Sequence, residues 1–198
     1  NDNYWVTKAA IVNADGKGSW RIPFPKENRA NYGVLDTLSD EPDYILLTRD
    51  INDNRIPDVI RYNINTGATK TVLRGNEKIS GGFVPDPYGE IRAASGYDAA
   101  SNSIKQYARV KGESKWREIY SNSPENREEW EFLYFSHENP DEVYVRANLK
   151  ENLAGIYTYN IKTNTYSERL FGLKSVDADS VLLSRKSATR GQLLGYTY

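Results

Sequence analysis

DYILLTR (Asp43 to Arg49), DEVYVRA (Asp141 to Ala147) and DSVLLSR (Asp179 to Arg185) read almost alike. Each is a short run rich in branched and aliphatic residues, entered through an acidic turn. A second phrase travels with them: RYNINTGATKTVL from Arg61 is echoed by TYNIKTNTYSERLF from Thr158. Tyr62 and Tyr159 stand about two units of ~48 residues apart, and Asp43 and Asp179 about three units of ~45. Strand-built repeats of that period predict propeller blades, each too thin to bury its own two faces and therefore stacked on its neighbours.

Working outward, the remaining strands fall into the same frame. Lys8 to Ala14 and Ser19 to Phe24 flank Asp15-Gly16-Lys17-Gly18 and predict a hairpin that Pro23 and Pro25 bring to an end. Blades are expected over 33–75, 79–121 and 130–172, with incomplete units over 1–32 and 173–198. Gly81-Gly82 before Phe83 suits an innermost strand, where backbones approach closely. Helix is expected at most as a turn within Pro124 to Glu131. The expected fold class is all-β, a β-propeller fragment of about four blades of four-stranded antiparallel sheets.

Composition narrows the function. The 198 residues carry 26 Lys and Arg against 27 Asp and Glu, without the basic excess of a nucleic-acid or anionic-membrane binder. No run of ~18 apolar residues is present to span a bilayer. There is no Cys, which removes disulfides, thiol catalysis and Cys-ligated zinc and leaves bacterial cytoplasm and periplasm both open. There is no Met either, not even at position 1, so the chain is expected to begin inside a longer polypeptide. Fifteen Tyr and 4 Trp against 5 Phe suit half-buried strands.

The ordered phrases PDVIRYNINTG (from Pro57), GGFVPDPYGEIRAASGYD (from Gly81), KWREIY (from Lys115), EFLYFSHENPDEVYV (from Glu131), GIYTYNIKTNTYSERLF (from Gly155) and VDADSVLLSRKSATRGQLLGYTY (from Val176) resemble the propeller of prolyl oligopeptidase family serine peptidases. The narrower likeness is to acylaminoacyl-peptidase-like and dipeptidyl-peptidase-like members. It covers about Asp58 to Tyr198, with Phe83 where the family pattern has Trp. It implies a non-catalytic propeller that gates and selects peptide substrates for a C-terminal α/β-hydrolase domain of the same polypeptide. The competing expectation is a stand-alone scaffold for protein–protein interaction, of the periplasmic translocation-protein type. Uncovered blade edges carry a further expectation: closure of the fragment by dimerisation, repair of a blade by strand exchange, or aggregation.

Catalytic chemistry is not legible in the chain. No G-x-S-x-G occurs, and the single histidine, His137, lies in the turn Ser136-His137-Glu138-Asn139-Pro140, where a solvated role is expected. Glu128 and Glu129 invite comparison with the paired glutamates that hold a substrate amino terminus in dipeptidyl-peptidases. A surface segment alternating charge with aromatics as it runs into a strand accounts for them better. Asp50, Asn52, Asn54 and Asp58 match the front half of a calcium loop, but Arg55 stands where Gly belongs and Arg61 where Glu belongs. An Asn/Asp-rich hairpin loop explains the same residues. No cofactor is implied. Tyr62, Tyr107, Tyr134, Tyr144, Tyr157 and Tyr159 are expected to pack between blades, and Arg61, Lys70, Arg109 and Arg117 to lie on solvated outer strands.

Overall fold

The computed structural model describes residues 7–27, 30–51, 54–122, 125, 128–149 and 151–198. They form two compact units, Asn1–Asn76 and Glu77–Tyr198. Among the described residues the only helical element is a three-residue 3-10 turn, Ser187–Thr189.

In the first unit β1 (Asn31–Asp36), β2 (Tyr44–Asp50), β3 (Asp58–Asn63) and β4 (Thr69–Leu73) form one antiparallel meander in sequence order. Leu47, Ile60 and Tyr62 are its core, covered by Ile11 and Phe24 from the segment before β1. The predicted N-terminal hairpin is reduced to one bridge, Ile11 with Arg21, closed by reciprocal hydrogen bonds of 2.8 and 2.9 Å. The turn chemistry holds, since Asp15 accepts the Lys17 amide and Gly16 and Gly18 take positive φ. The ladder stops because the segment is recruited sideways. Phe24 stacks on Tyr32 at 5.3 Å, and the Glu27 carboxylate accepts from both Arg49 and Tyr32, so side-chain docking replaces strand pairing.

The second unit holds three sheets. β5 (Gly81–Pro85), β6 (Ile91–Asp98), β7 (Ser103–Ala108) and β8 (Arg117–Asn122) are one meander; β9 (Trp130–Phe135), β10 (Glu142–Ala147), β11 (Gly155–Asn160) and β12 (Thr165–Tyr166) are the next; β13 (Ser180–Leu183) and β14 (Leu193–Thr197) make a two-stranded sheet. Alternation along β10 explains the stacking. Val143, Val145 and Ala147 point to Val84, Ala93 and Ala108 of the preceding meander, while Tyr144 points to Val181 and Tyr196 of the following sheet. Leu133 is an extra residue in β9, between the pairs Phe132–Val145 and Tyr134–Tyr144. This bulge resets the parity, so that Phe132 and Phe135, three positions apart, enter the same core. The fold is all-β and propeller-type, built from three four-stranded blades and one two-stranded unit.

The two repeated phrases are bonded to one another. The Asp43 carbonyl accepts the Ile64 amide at 2.8 Å, and the Asp141 carbonyl accepts the Ile161 amide at 2.9 Å. Asn63 and Asn160 then close their hairpins, each accepting two amides, from residues 65 and 66 and from 162 and 163. The Tyr159 hydroxyl donates to Asn164 Oδ1 at 3.1 Å, where Asn164 has φ of 57°. A third copy, Tyr97-Asp98-Ala99-Ala100-Ser101-Asn102, escapes a reading by sequence similarity. Its Tyr97 hydroxyl bonds Asn102 Oδ1 at 2.7 Å and Asn102 has φ of 48°. Asn164→Ala is expected to cost about 1–2 kcal/mol, from the lost hydrogen bond and the left-handed backbone. Asn164→Gly should recover the backbone part. In the first unit Gly67 occupies the same place at φ of 76°, with the Tyr62 hydroxyl 3.6 Å from where a Cβ would stand. Gly67→Asn should therefore change stability by less than about 0.5 kcal/mol, whereas Gly67→Val should be clearly destabilising. Urea melts of the four variants check the set.

Candidate ligand cleft

The core between the β5–β8 and β9–β12 meanders is buried, with Ala93, Ala108, Val143, Val145 and Ala147 fully enclosed. Beside it lies a cleft of about 670 Å³. Phe83, Val84, Trp130 and Phe132 line its apolar part, and Ser95, Gln106, Asn122, Glu129, Glu131 and Arg146 its polar part. That volume falls within the range of ligand pockets.

Local sequence accounts for the shape. Gly82 takes φ of 54°, and a Cβ there would stand 2.4 Å from Ser95 Oγ, so the inner strand lies against β6 only because position 82 is glycine. Trp130 is the anchor of the opposite wall. It stacks on Tyr120 at 5.3 Å, meets Phe132 and Tyr159 edge-on at 4.6 and 5.9 Å, and donates Nε1–H to the Tyr166 hydroxyl at 2.8 Å. The rim is ionic: Glu129 pairs with Arg146 at 2.7 Å, and Arg146 Nε donates to the Ala178 carbonyl at 2.8 Å. Asn122 Oδ1 is buried and accepts no hydrogen bond from the described residues.

Burial pushes the Tyr159 hydroxyl up to about 12 and raises that of Tyr166 as well. A tyrosine raised in the folded state favours its neutral form. Its contribution is complete below the ordinary value of 10 and is lost as pH climbs from 10 through about 12. The expected result is a structure intact at pH 9 that unfolds cooperatively with tyrosinate absorbance above pH 10, and Tyr159→Phe should move that transition upward.

The structure separates the two glutamates singled out in the sequence. Glu129 lines the cleft, while the Glu128 carboxylate accepts the Tyr120 hydroxyl at 2.8 Å. The calcium-type loop turns inward to its own backbone: Asp50 accepts the amides of Asn54 and Arg55, Asn54 that of Ile56, and Asp58 that of Gly75. Asn52 lies outside the described residues, as do Pro124, Asn126 and Arg127 of the expected helical turn. Among the described residues no group of three or more His, Asp or Glu is gathered for a metal. His137 is exposed in its turn. Sequence reasoning missed Trp130, Ser95, Gln106 and Arg146, whose only signal was their parity on neighbouring strands.

A propeller-type scaffold with an inter-blade cleft is the class this geometry defines. Among solved structures the chain is similar to TolB from Acinetobacter baumannii, with a TM-score of 0.58 and 12% identity over 89% of this chain and 40% of that one. It is also similar to the uncharacterized protein lmo1340 of Listeria monocytogenes EGD-e, with a TM-score of 0.47 and 16% identity over 82% of this chain and 53% of that one. The chain thus spans about half or less of the length of these neighbours. No family model matches it, and no curated protein does. The likeness to TolB is one of fold.

Proposed function

We propose that the chain is a non-catalytic propeller scaffold for protein–protein interaction, and that the cleft between the β5–β8 and β9–β12 meanders receives an extended segment of a partner polypeptide. The observation that carries this reading is a cleft of about 670 Å³ in which aromatic rings of the inter-blade core adjoin polar side chains from both meanders. Apolar side chains of a segment have Phe83, Trp130 and Phe132 to pack on, and its backbone has Ser95, Gln106 and Asn122 to bond. Peptides selected from a random display library against the chain test it. Bound peptides should lose affinity at least tenfold when Gln106→Trp fills the cleft. Peptides that bind the variant equally well place recognition elsewhere, and an empty selection removes the reading.

A second reading rests on the ordered phrases from Pro57 to Tyr198. In it the propeller gates peptide substrates for a C-terminal α/β-hydrolase domain of the same polypeptide. Its test is the coding sequence after Tyr198. A G-x-S-x-G followed in order by Asp and His supports it, and their absence ends it.

A further inference from the structure

Three buried side-chain polar atoms lack a hydrogen-bond partner among the described residues: Arg61 Nε, Arg92 Nη2 and Asn122 Oδ1. The first two belong to guanidiniums that face carboxylates, Arg61 that of Glu41 and Arg92 those of Asp86 and Asp141. Asn122 Oδ1 is the one acceptor of the three, and its residue is the one that lines the cleft. A buried acceptor without a donor costs the folded chain stability, and a donor brought by a bound molecule offsets that cost. The strand register shows why the sheet itself supplies none. Asn122 stands opposite Ile104 on β7, and Ile104 opposite Tyr97 on β6. The isoleucine has no donor, and the Tyr97 hydroxyl is committed to Asn102 Oδ1 at 2.7 Å. Charge selects among donors from outside. Glu129, Glu131 and Arg146 line the same cleft, with Glu131 directly across from Arg146 in the β9–β10 pairing and Glu129 bonded to it at 2.7 Å. Two carboxylates thus share one guanidinium, and the lining carries one negative charge in excess.

We propose that the partner segment presents a basic side chain, lysine or arginine, which enters this cleft, donates to Asn122 Oδ1 and neutralises the excess charge of Glu129 and Glu131. The inference rests on the reading of the cleft as the seat of a partner segment. Ammonium and guanidinium groups are donors only, so they answer the bare carbonyl and the carboxylates together. A neutral amide answers the carbonyl alone. An acidic side chain would meet like charge and find no partner at Asn122 Oδ1, at a desolvation cost that nothing in the lining offsets. Phe83, Trp130 and Phe132 remain for the apolar neighbours of the basic residue.

Random peptides displayed with host sequence at both ends, so that no free amino terminus is on offer, test the proposal. Clones whose binding is lost on Gln106→Trp should share a lysine or arginine at one position. In the synthetic peptide, acetylated and amidated, norleucine at that position should lower affinity about tenfold. Asn122→Leu should weaken the basic peptide about tenfold and leave the norleucine peptide little changed. Its urea midpoint should be no lower than that of the parent, because the substitution removes an unpaired buried acceptor. Glu131→Gln should weaken the basic peptide about threefold, and less at high salt. Three results overturn the inference and leave the cleft reading in place: cleft-bound peptides without a shared basic residue, equal losses of both peptides on Asn122→Leu, or a clearly lowered urea midpoint for that variant. Peptides indifferent to Gln106→Trp, or an empty selection, remove the reading and the inference together.

Discussion

Replacing Arg92 by methionine is expected to lower the stability of the Glu77–Tyr198 unit by about 3–5 kcal/mol, the cost of breaking a buried ionic group from one side. Arg92 is 0% exposed and lies 4.5 Å above the Phe135 ring. Its guanidinium is 3.8 Å from Asp86 on its own meander and 3.8 Å from Asp141 on the next, and Nε donates to the Arg109 carbonyl at 3.3 Å. Burial presses its pKa below the ordinary arginine value, and the carboxylates of Asp86, Glu90 and Asp141 oppose that. Without the arginine, Asp86 remains as a buried charge, although it still accepts the amides of Tyr88 and Glu90. Neutralising it should therefore repair part of the damage. In urea melts Arg92→Met with Asp86→Asn is expected to regain roughly 1–3 kcal/mol over Arg92→Met alone. Additive losses in the pair would show that Asp86 and Arg92 do not act as a unit.

Trp130→Ala is the second large effect, with an expected loss of about 3–5 kcal/mol. The indole is 4% exposed, touches three aromatic rings and holds the Tyr166 hydroxyl, so truncation leaves a cavity and an unpaired polar group together. Trp130→Phe keeps most of the ring packing and should cost only about 1–2 kcal/mol, most of it from the lost hydrogen bond. Chemical denaturation followed by circular dichroism separates the two. A small loss for Trp130→Ala would mean that the meanders slide to close the gap. Near-complete recovery of stability without recovery of peptide binding would mark Trp130 as a wall of the cleft as well as a core residue.

Much of the fold was legible because it rests on local chemistry. The repeated acidic entries and the YNINTG and YNIKTN turns bond each other within one hairpin, so their spacing is visible along the chain. Where the outcome depended on distant residues, reading along the chain fell short. The fourth strand of the β9–β12 meander is only Thr165–Tyr166, because Ser167 turns its hydroxyl to the Thr158 amide. Tyr134 was expected between blades and is 46% exposed. Tyr62, Tyr107, Tyr144, Tyr157 and Tyr159 are buried. Arg109 was expected on a solvated edge. It instead donates Nε–H to the Ile91 carbonyl at 2.9 Å and pairs with Glu90 at 3.3 Å. Arg92 carried no sequence signal at all, because its partner Asp141 is 49 positions away and on a different sheet.

The candidate site was the least legible part for the same reason. Its lining comes from strands of two meanders, and only the tertiary register decides that Ser95, Gln106 and Asn122 face Trp130 and Phe132. The paired glutamates drew attention through adjacency, yet neighbours on an extended segment diverge, and Glu128 and Glu129 bond different residues.

The three tyrosine-capped turns have a kinetic meaning. Tyr62 to Gly67, Tyr97 to Asn102 and Tyr159 to Asn164 each close on themselves within six residues, with no help from another sheet. Loops this short form in well under a microsecond and hairpins within about ten microseconds, far ahead of contacts between sheets. Every complete meander therefore carries its own ignition point, and the β13–β14 connection closes locally as well, with the Ser184 and Thr189 hydroxyls 2.7 Å apart. The chain is expected to assemble as independently lit hairpins that later zip together.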